Sequence, residues 1–237
     1  MKNLSLNKMF TLLRKDVLAF FSSWMGWGTI SSFFILMGIY VWVIEGNVLD
    51  FGFAELSVFF QLSPWFFMFL VPGLAMSSIS EELDRGTFQL LRSLPITLDQ
   101  ILCAKVGSLI TLIFLVLLPS LLFVYAIGSL GLPQNNFDGS LIMGGYIALL
   151  LLNLCFIVLG ILASSLSKKQ PVAFLIGLVL NFIFWQGALE VGFDFIVMSS
   201  PFHRMSVGVV NSSDVIFFSG FLILIWGIIR IRLSRII

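Results

Sequence analysis

Few side chains in this 237-residue sequence have the types and spacing that chemistry needs. His203 is its one histidine, which rules out a multi-histidine metal site. With Asp194 and Arg204 close in sequence, a satisfied loop histidine is the simpler role. Cys103 and Cys155 sit in apolar runs without CxxC spacing and read as small core residues. No glycine-rich run ends in Gly-Lys-Ser or Gly-Lys-Thr, so the chain cannot cradle a nucleotide in a P-loop. One segment does gather ionisable groups: SEELDRGTFQLLRSLP, Ser80 to Pro95, with Glu81, Glu82, Asp84, Arg85 and Arg92. Without a base, a nucleophile or ligand spacing beside them, these charges suit recognition and not catalysis. The chain reads as non-catalytic, with no cofactor or metal of its own.

The elements that carry this segment are set by composition. At 59% hydrophobic and 11% charged residues the chain is an integral membrane protein. Its net charge of +1 gives no reason to expect nucleic acid. The expected architecture is all-α, one domain with six transmembrane helices at 28–45, 56–79, 98–127, 141–166, 171–189 and 214–231. Each contains a charge-free stretch, and about 20 helical residues cross a bilayer core. The last stretch is short and needs Arg230 and Arg232 to snorkel at its end. The opening MKNLSLNKMF lacks the compact apolar core of a cleaved signal and is expected to be retained.

An even number of crossings leaves both termini on one face. That face collects twelve of the thirteen basic residues and five acidic ones, whereas the other holds Arg204 and seven acidic residues. The positive-inside rule then makes both termini cytoplasmic. Ahead of the first span, residues 1–25 contain an amphipathic helix: Leu6, Met9, Phe10, Leu13, Val17, Phe20 and Trp24 share one side, and Lys8, Thr11, Arg14, Lys15 and Ser22 the other. Such a helix is expected to lie in the headgroup plane.

An ion-coupled carrier keeps ionisable groups at membrane depth, and the six stretches hold none. Their polar side chains are Gln61, Asn153, Asn181 and Gln186, expected to make hydrogen bonds between helices. Pro64 and Pro72 in the second span free backbone carbonyls and kink the helix, either for motion or for packing.

The charged segment of residues 80–97 leaves the second span into water with Glu81, Glu82, Asp84 and Arg85. Gly86 permits a turn. Thr87 caps a short helix bearing Phe88, Leu90, Leu91 and Leu94, which Pro95 ends. Thr97 and Gln100 have the spacing of a capping box that starts the third span. This helix offers both charge and hydrocarbon, as a docking surface or as a solvated helix lying on the headgroups.

EELDRGTFQLLRSLPITLDQILCAK resembles the signature of type-2 ABC exporter permeases: an acidic cluster, Gly86-Thr87, Leu90-Leu91, Leu94-Pro95 and a downstream lysine, here Lys105. SPFHRMSVGVVNSSDVIFF, Ser200 to Phe218, resembles the external segment of the gliding-motility-associated (GldF-like) branch, although His203-Arg204 departs from its surface. The resemblance implies a permease of the bacterial inner membrane, working with a cytoplasmic ABC ATPase dimer that binds ATP and Mg, a second permease copy or paralogue, and an accessory extracytoplasmic subunit. It implies that the short helix seats in a cleft of the ATPase as a coupling helix. Phe88, Leu90 and Leu91 would fill that cleft, Glu81, Glu82, Asp84, Arg85 and Arg92 would set register, and Pro95 with the Thr97 cap would pass displacement to the third span. The broken apolar segment 192–213 is expected to be either a short re-entrant helix or a surface loop. A mechanical subunit that moves no substrate is the alternative function.

Overall fold

The computed structural model describes residues 2–22, 24–44, 56–88, 97–130, 138–190 and 192–235, with side chains left undescribed at 2–10, 12, 25, 130 and 194. Among the described residues the chain is helical throughout. In order come α1 (Lys2–Ser22), α2 (Trp24–Trp42), α3 (Ser57–Ala75), α4 (Ser77–Asp84), α5 (Leu98–Leu117), α6 (Leu121–Leu130), α7 (Gly139–Leu166), α8 (Gln170–Phe182), α9 (Ser199–Ser206) and α10 (Ser212–Arg235). Five stretches are long and apolar enough to cross a membrane: Ser57–Asp84, Leu98–Ser129, Gly139–Leu166, Gln170–Glu190 and Ser212–Arg235. A sixth crossing is counted if Leu13–Ser22 and Gly26–Trp42, bent by 70°, form one span.

The core is organised around α7. Its apolar residues run around the whole helix, which is the pattern of a helix enclosed on all sides. It packs against α3, α4, α5, α8, α9 and α10. Of its span 72% is buried inside the chain, against 22% for α10, whose outer face is left to lipid or to another subunit. Small residues bring backbones together where the bundle is tightest. A Cβ at Gly160 of α7 would stand 2.6 Å from the Ala75 Cβ at the end of α3. An aromatic layer formed by Phe34, Phe59, Phe60, Phe123 and Tyr146 closes the opposite end.

Local irregularities have identifiable causes. Pro119 cannot donate a backbone hydrogen bond, and the chain tightens to a 3-10 turn at Leu118–Ser120 between α5 and α6. There the Ser120 and Tyr146 hydroxyls meet at 2.9 Å. After α8 the helix widens to a π-turn, Ile183–Gly187, and a last helical turn, Ala188–Glu190. Asp138 caps α7: its carboxylate accepts from the Ser140 amide at 3.0 Å and hydroxyl at 2.7 Å. These bonds hold its pKa below the usual aspartate range.

Three expectations change. Cys103 lies on the outer face of α5 and is exposed, while Cys155 is buried. The apolar side of α1 is turned in part onto protein: Leu13 lies 3.1 Å from the Cβ position of Gly107, and Val17 and Phe20 pack on the core. Among the described residues of that side Trp24 projects, 92% exposed. Finally, the second span does not stop at Ile79 but runs on as α4 to Asp84, because Ser80 and Glu82 find partners inside the bundle.

Candidate functional site

The charged stretch begins on α4 and divides by burial. Asp84 and Arg85 are exposed, and Arg85 pairs with Glu81 one turn back at 2.8 Å, a contact worth at most about 1 kcal/mol in water. Gly86 follows with φ +67°, the left-handed conformation that lets α4 end. The Thr87 hydroxyl donates back to the Glu82 carbonyl at 3.4 Å, closing the C-terminus of α4.

Glu82 and Phe88 correct the expectation that both serve a partner. Glu82 is turned inward, its side chain 14% exposed, and pairs with Lys105 Nζ at 2.7 Å. Lys105 is itself 7% exposed and reaches Asp16 of α1 at 3.3 Å. One buried ammonium thus ties α1, α4 and α5 together, two turns into α5. Taking three charges out of water is costly unless they pair, and here two carboxylates flank the single cation. Glu82 keeps its other oxygen, Oε2, without a partner. Phe88 is 4% exposed and belongs to the chain's own core.

Leu90, Leu91, Arg92 and Pro95 lie outside the described residues, as does the short helix expected there. The chain is described again at Thr97, which opens α5 with reciprocal bonds: Gln100 N donates to Thr97 Oγ1 at 3.3 Å, and Thr97 N donates to Gln100 Oε1 at 3.1 Å. Asp99 of the same turn pairs with Arg230 of α10 at 3.5 Å. The segment that emerges between α4 and α5 is therefore anchored at one end by the Lys105 triad and at the other by a closed cap.

The in-span polar residues do not bridge helices as expected. Gln61 faces outward on α3. The Asn153 amide donates into its own helix, to the Leu149 carbonyl at 2.8 Å. Asn181 is fully buried with neither amide atom partnered, and Trp185 Nε1 is likewise unpartnered. Gln186 is half-buried in the π-turn. Pro64 and Pro72 both lie within an unbroken α3, and Pro72 packs beside Gly177 of α8. The interruption comes later, at Met76 between α3 and α4.

On the opposite face, α9 forms from the broken segment and buries Phe202 and Met205 against α7. Arg204 pairs with Asp214 in the first turn of α10 at 2.5 Å, and Asp214 is 1% exposed. This hydrogen bond holds the Arg204 guanidinium above the usual arginine range. His203 is exposed and rests its ring near Trp185 and Phe202, whereas Arg204 is engaged with Asp214; the Asp194 side chain expected beside them lies outside the described residues. Sequence reasoning also missed Ser164 of α7, whose hydroxyl meets the backbone at the Met76 interruption. A serine in an apolar helix was the only signal.

No curated protein and no solved structure matches the chain. The model of one family, described as ABC-2 family transporter protein, matches residues 10–204, which spans α1 through most of α9. The match takes in the Lys105 triad, the charged segment and the α7 hub together. The chain belongs to the ABC-2 family of transporter proteins, as a multi-pass membrane permease component.

Proposed function

We propose that this chain is the permease subunit of an ATP-driven exporter of the bacterial inner membrane, with both termini cytoplasmic. It receives work from a separate ATPase dimer through the segment between α4 and α5. Family membership over residues 10–204 carries this reading. The geometry supports it: Asp84 and Arg85 are exposed where the segment leaves, while both of its ends are fixed to membrane helices.

With Phe88 and Glu82 committed inside the chain, the docking set narrows to Leu90 and Leu91 as apolar anchors and Glu81, Asp84, Arg85 and Arg92 as a charged rim. Burying a leucine contributes about 1.5–3 kcal/mol, so two anchors outweigh the rim pairs. Pro95 and the Thr97 cap pass the displacement to α5. ATP and Mg belong to the ATPase, and a second permease, identical or paralogous, completes the pore.

Replacing Leu90 and Leu91 with Asp should leave the chain inserted and abolish co-purification of the ATPase. Stoichiometric ATPase retained by that variant refutes the docking role.

A mechanical subunit linked to gliding motility is the second reading. Exposed Phe193, Phe195, Val207, Val209 and Val210 favour it, since they offer an apolar surface to an extracytoplasmic partner. In reconstituted vesicles, an ATPase rate that responds to such a partner and to no cargo selects this reading over export.

A further inference from the structure

The second span is interrupted at Met76, with α3 ending at Ala75 and α4 starting at Ser77. In an unbroken α-helix the Ile79 and Ser80 amides would donate to the carbonyls of Ala75 and Met76. Here both donate to the hydroxyl oxygen of Ser164 on α7, at 3.0 and 2.9 Å. That hydroxyl in turn donates to the Met76 carbonyl at 2.9 Å, and the Ser80 hydroxyl bonds to the same carbonyl. A single side chain from another helix therefore stands within the hydrogen-bond ladder of the second span, satisfying two donors and one acceptor. Insertion of a side chain into the ladder is one of the few physical causes of a kink.

The prolines do not account for the interruption, because Pro72 lies four residues earlier inside α3 and the Met76 amide still donates to its carbonyl at 2.8 Å. Ser164 can reach the ladder because Gly160, one turn before it, lets α7 lie against Ala75. Both serines are fully buried, so no water competes for these bonds.

We propose that Ser164 is a positioning residue, whose hydroxyl holds the Met76 joint open and so sets the angle at which α4 presents the charged segment to the ATPase. The role rests on the permease reading, whereas the joint itself is a property of the isolated chain. Arg85 lies about 13 Å beyond Met76 at 1.5 Å per residue. Closing a kink of about 20° would swing it by about 5 Å.

The test is pulsed electron-spin distance measurement in nanodiscs, on a Cys103→Ser background, because Cys103 is exposed and Cys155 buried. One label replaces Arg85, and the reference label replaces Met143 on α7 or Ile231 on α10, both exposed. Ser164→Ala lets the ladder close on itself. At least one of the two distances should then shift by about 5 Å, with the unfolding midpoint near wild type, and Ser164→Thr, which restores the hydroxyl, should return it. If the alanine chain does not insert, Ser164→Cys replaces it. Cysteine keeps the volume but accepts weakly, and its buried thiol escapes the label.

Distances unchanged in Ser164→Ala, or in Ser164→Cys where it replaces the alanine, or a shift that threonine fails to reverse, overturn the proposal. In the complex, Ser164→Ala should retain the ATPase while losing at least half of the ATP-dependent change in the Arg85 distance; an undiminished change overturns the positioning role. Failure of the wild-type chain to bind an ATPase would strike the permease reading alone, since the isolated-chain distances still decide the joint.

Discussion

Replacing Lys105 with methionine removes the one cation that Glu82 and Asp16 share. The Nζ lies 2.7 Å from Glu82 and 3.3 Å from Asp16, and the three side chains are only 7%, 14% and 25% exposed. Methionine approximates the apolar stem but leaves two carboxylates facing each other with no counter-ion. Breaking a buried ion pair from one side costs about 3–5 kcal/mol, and partial hydration of Asp16 places this case near about 3. For chains of this size each kcal/mol moves the unfolding midpoint by about 2–4 °C, so a fall of about 6–12 °C is expected in nanodiscs followed by tryptophan fluorescence. The triple variant Asp16→Asn, Glu82→Gln, Lys105→Met removes the charges as well and should recover most of that loss. Because α1 is held to α5 through this cation, the single variant should also expose the α1 junction to limited proteolysis. A midpoint within about 1 °C of wild type for Lys105→Met alone would refute the triad as the clamp between α1, α4 and α5.

Three further outcomes follow from the packing. Asn181→Leu removes two buried, unpartnered amide atoms and should raise the unfolding midpoint, by the equivalent of about 1–3 kcal/mol; a lowered midpoint would show that the amide has a partner. Gly160→Val places side-chain atoms where even a Cβ stands 2.6 Å from Ala75, and overpacking of about 1–3 kcal/mol should appear as a lower midpoint, with an unchanged one counting against the close approach. The lowered pKa of Asp138 means that its cap on α7 is fully present above the usual aspartate pKa of about 3.9 and is lost as pH falls through the lower folded value. Below pH 4 the acid sensitivity of the midpoint should therefore be weaker in Asp138→Asn than in wild type, and identical pH profiles would exclude the cap.

The division between what could be read in the chain and what could not follows the range of the interactions. Hydropathy marks the long spans because burial in lipid is a property of a contiguous stretch. The Thr97–Gln100 cap and the Gly86 turn are equally local: each depends on residues within four positions, so spacing alone displays them. Glu82, by contrast, looks identical in sequence to Glu81 beside it. Only the arrival of Lys105 from α5 and Asp16 from α1 separates a buried clamp from a half-exposed charge paired along its own helix. Arg204 with Asp214 and Ser164 with the Met76 joint are of the same kind, the second pairing residues 84 to 88 positions apart.

The sequence by itself determined that this is a multi-span helical membrane protein with a charged, amphipathic break after its second span, because lipid demands long apolar helices and water demands the rest. Which charges stay free for a partner, which helix lies at the centre and where the hydrogen-bond ladder of the second span is interrupted were decided only by tertiary structure. Those features depend on which side chains from distant helices reach a given carbonyl or carboxylate, and a linear pattern carries no such information.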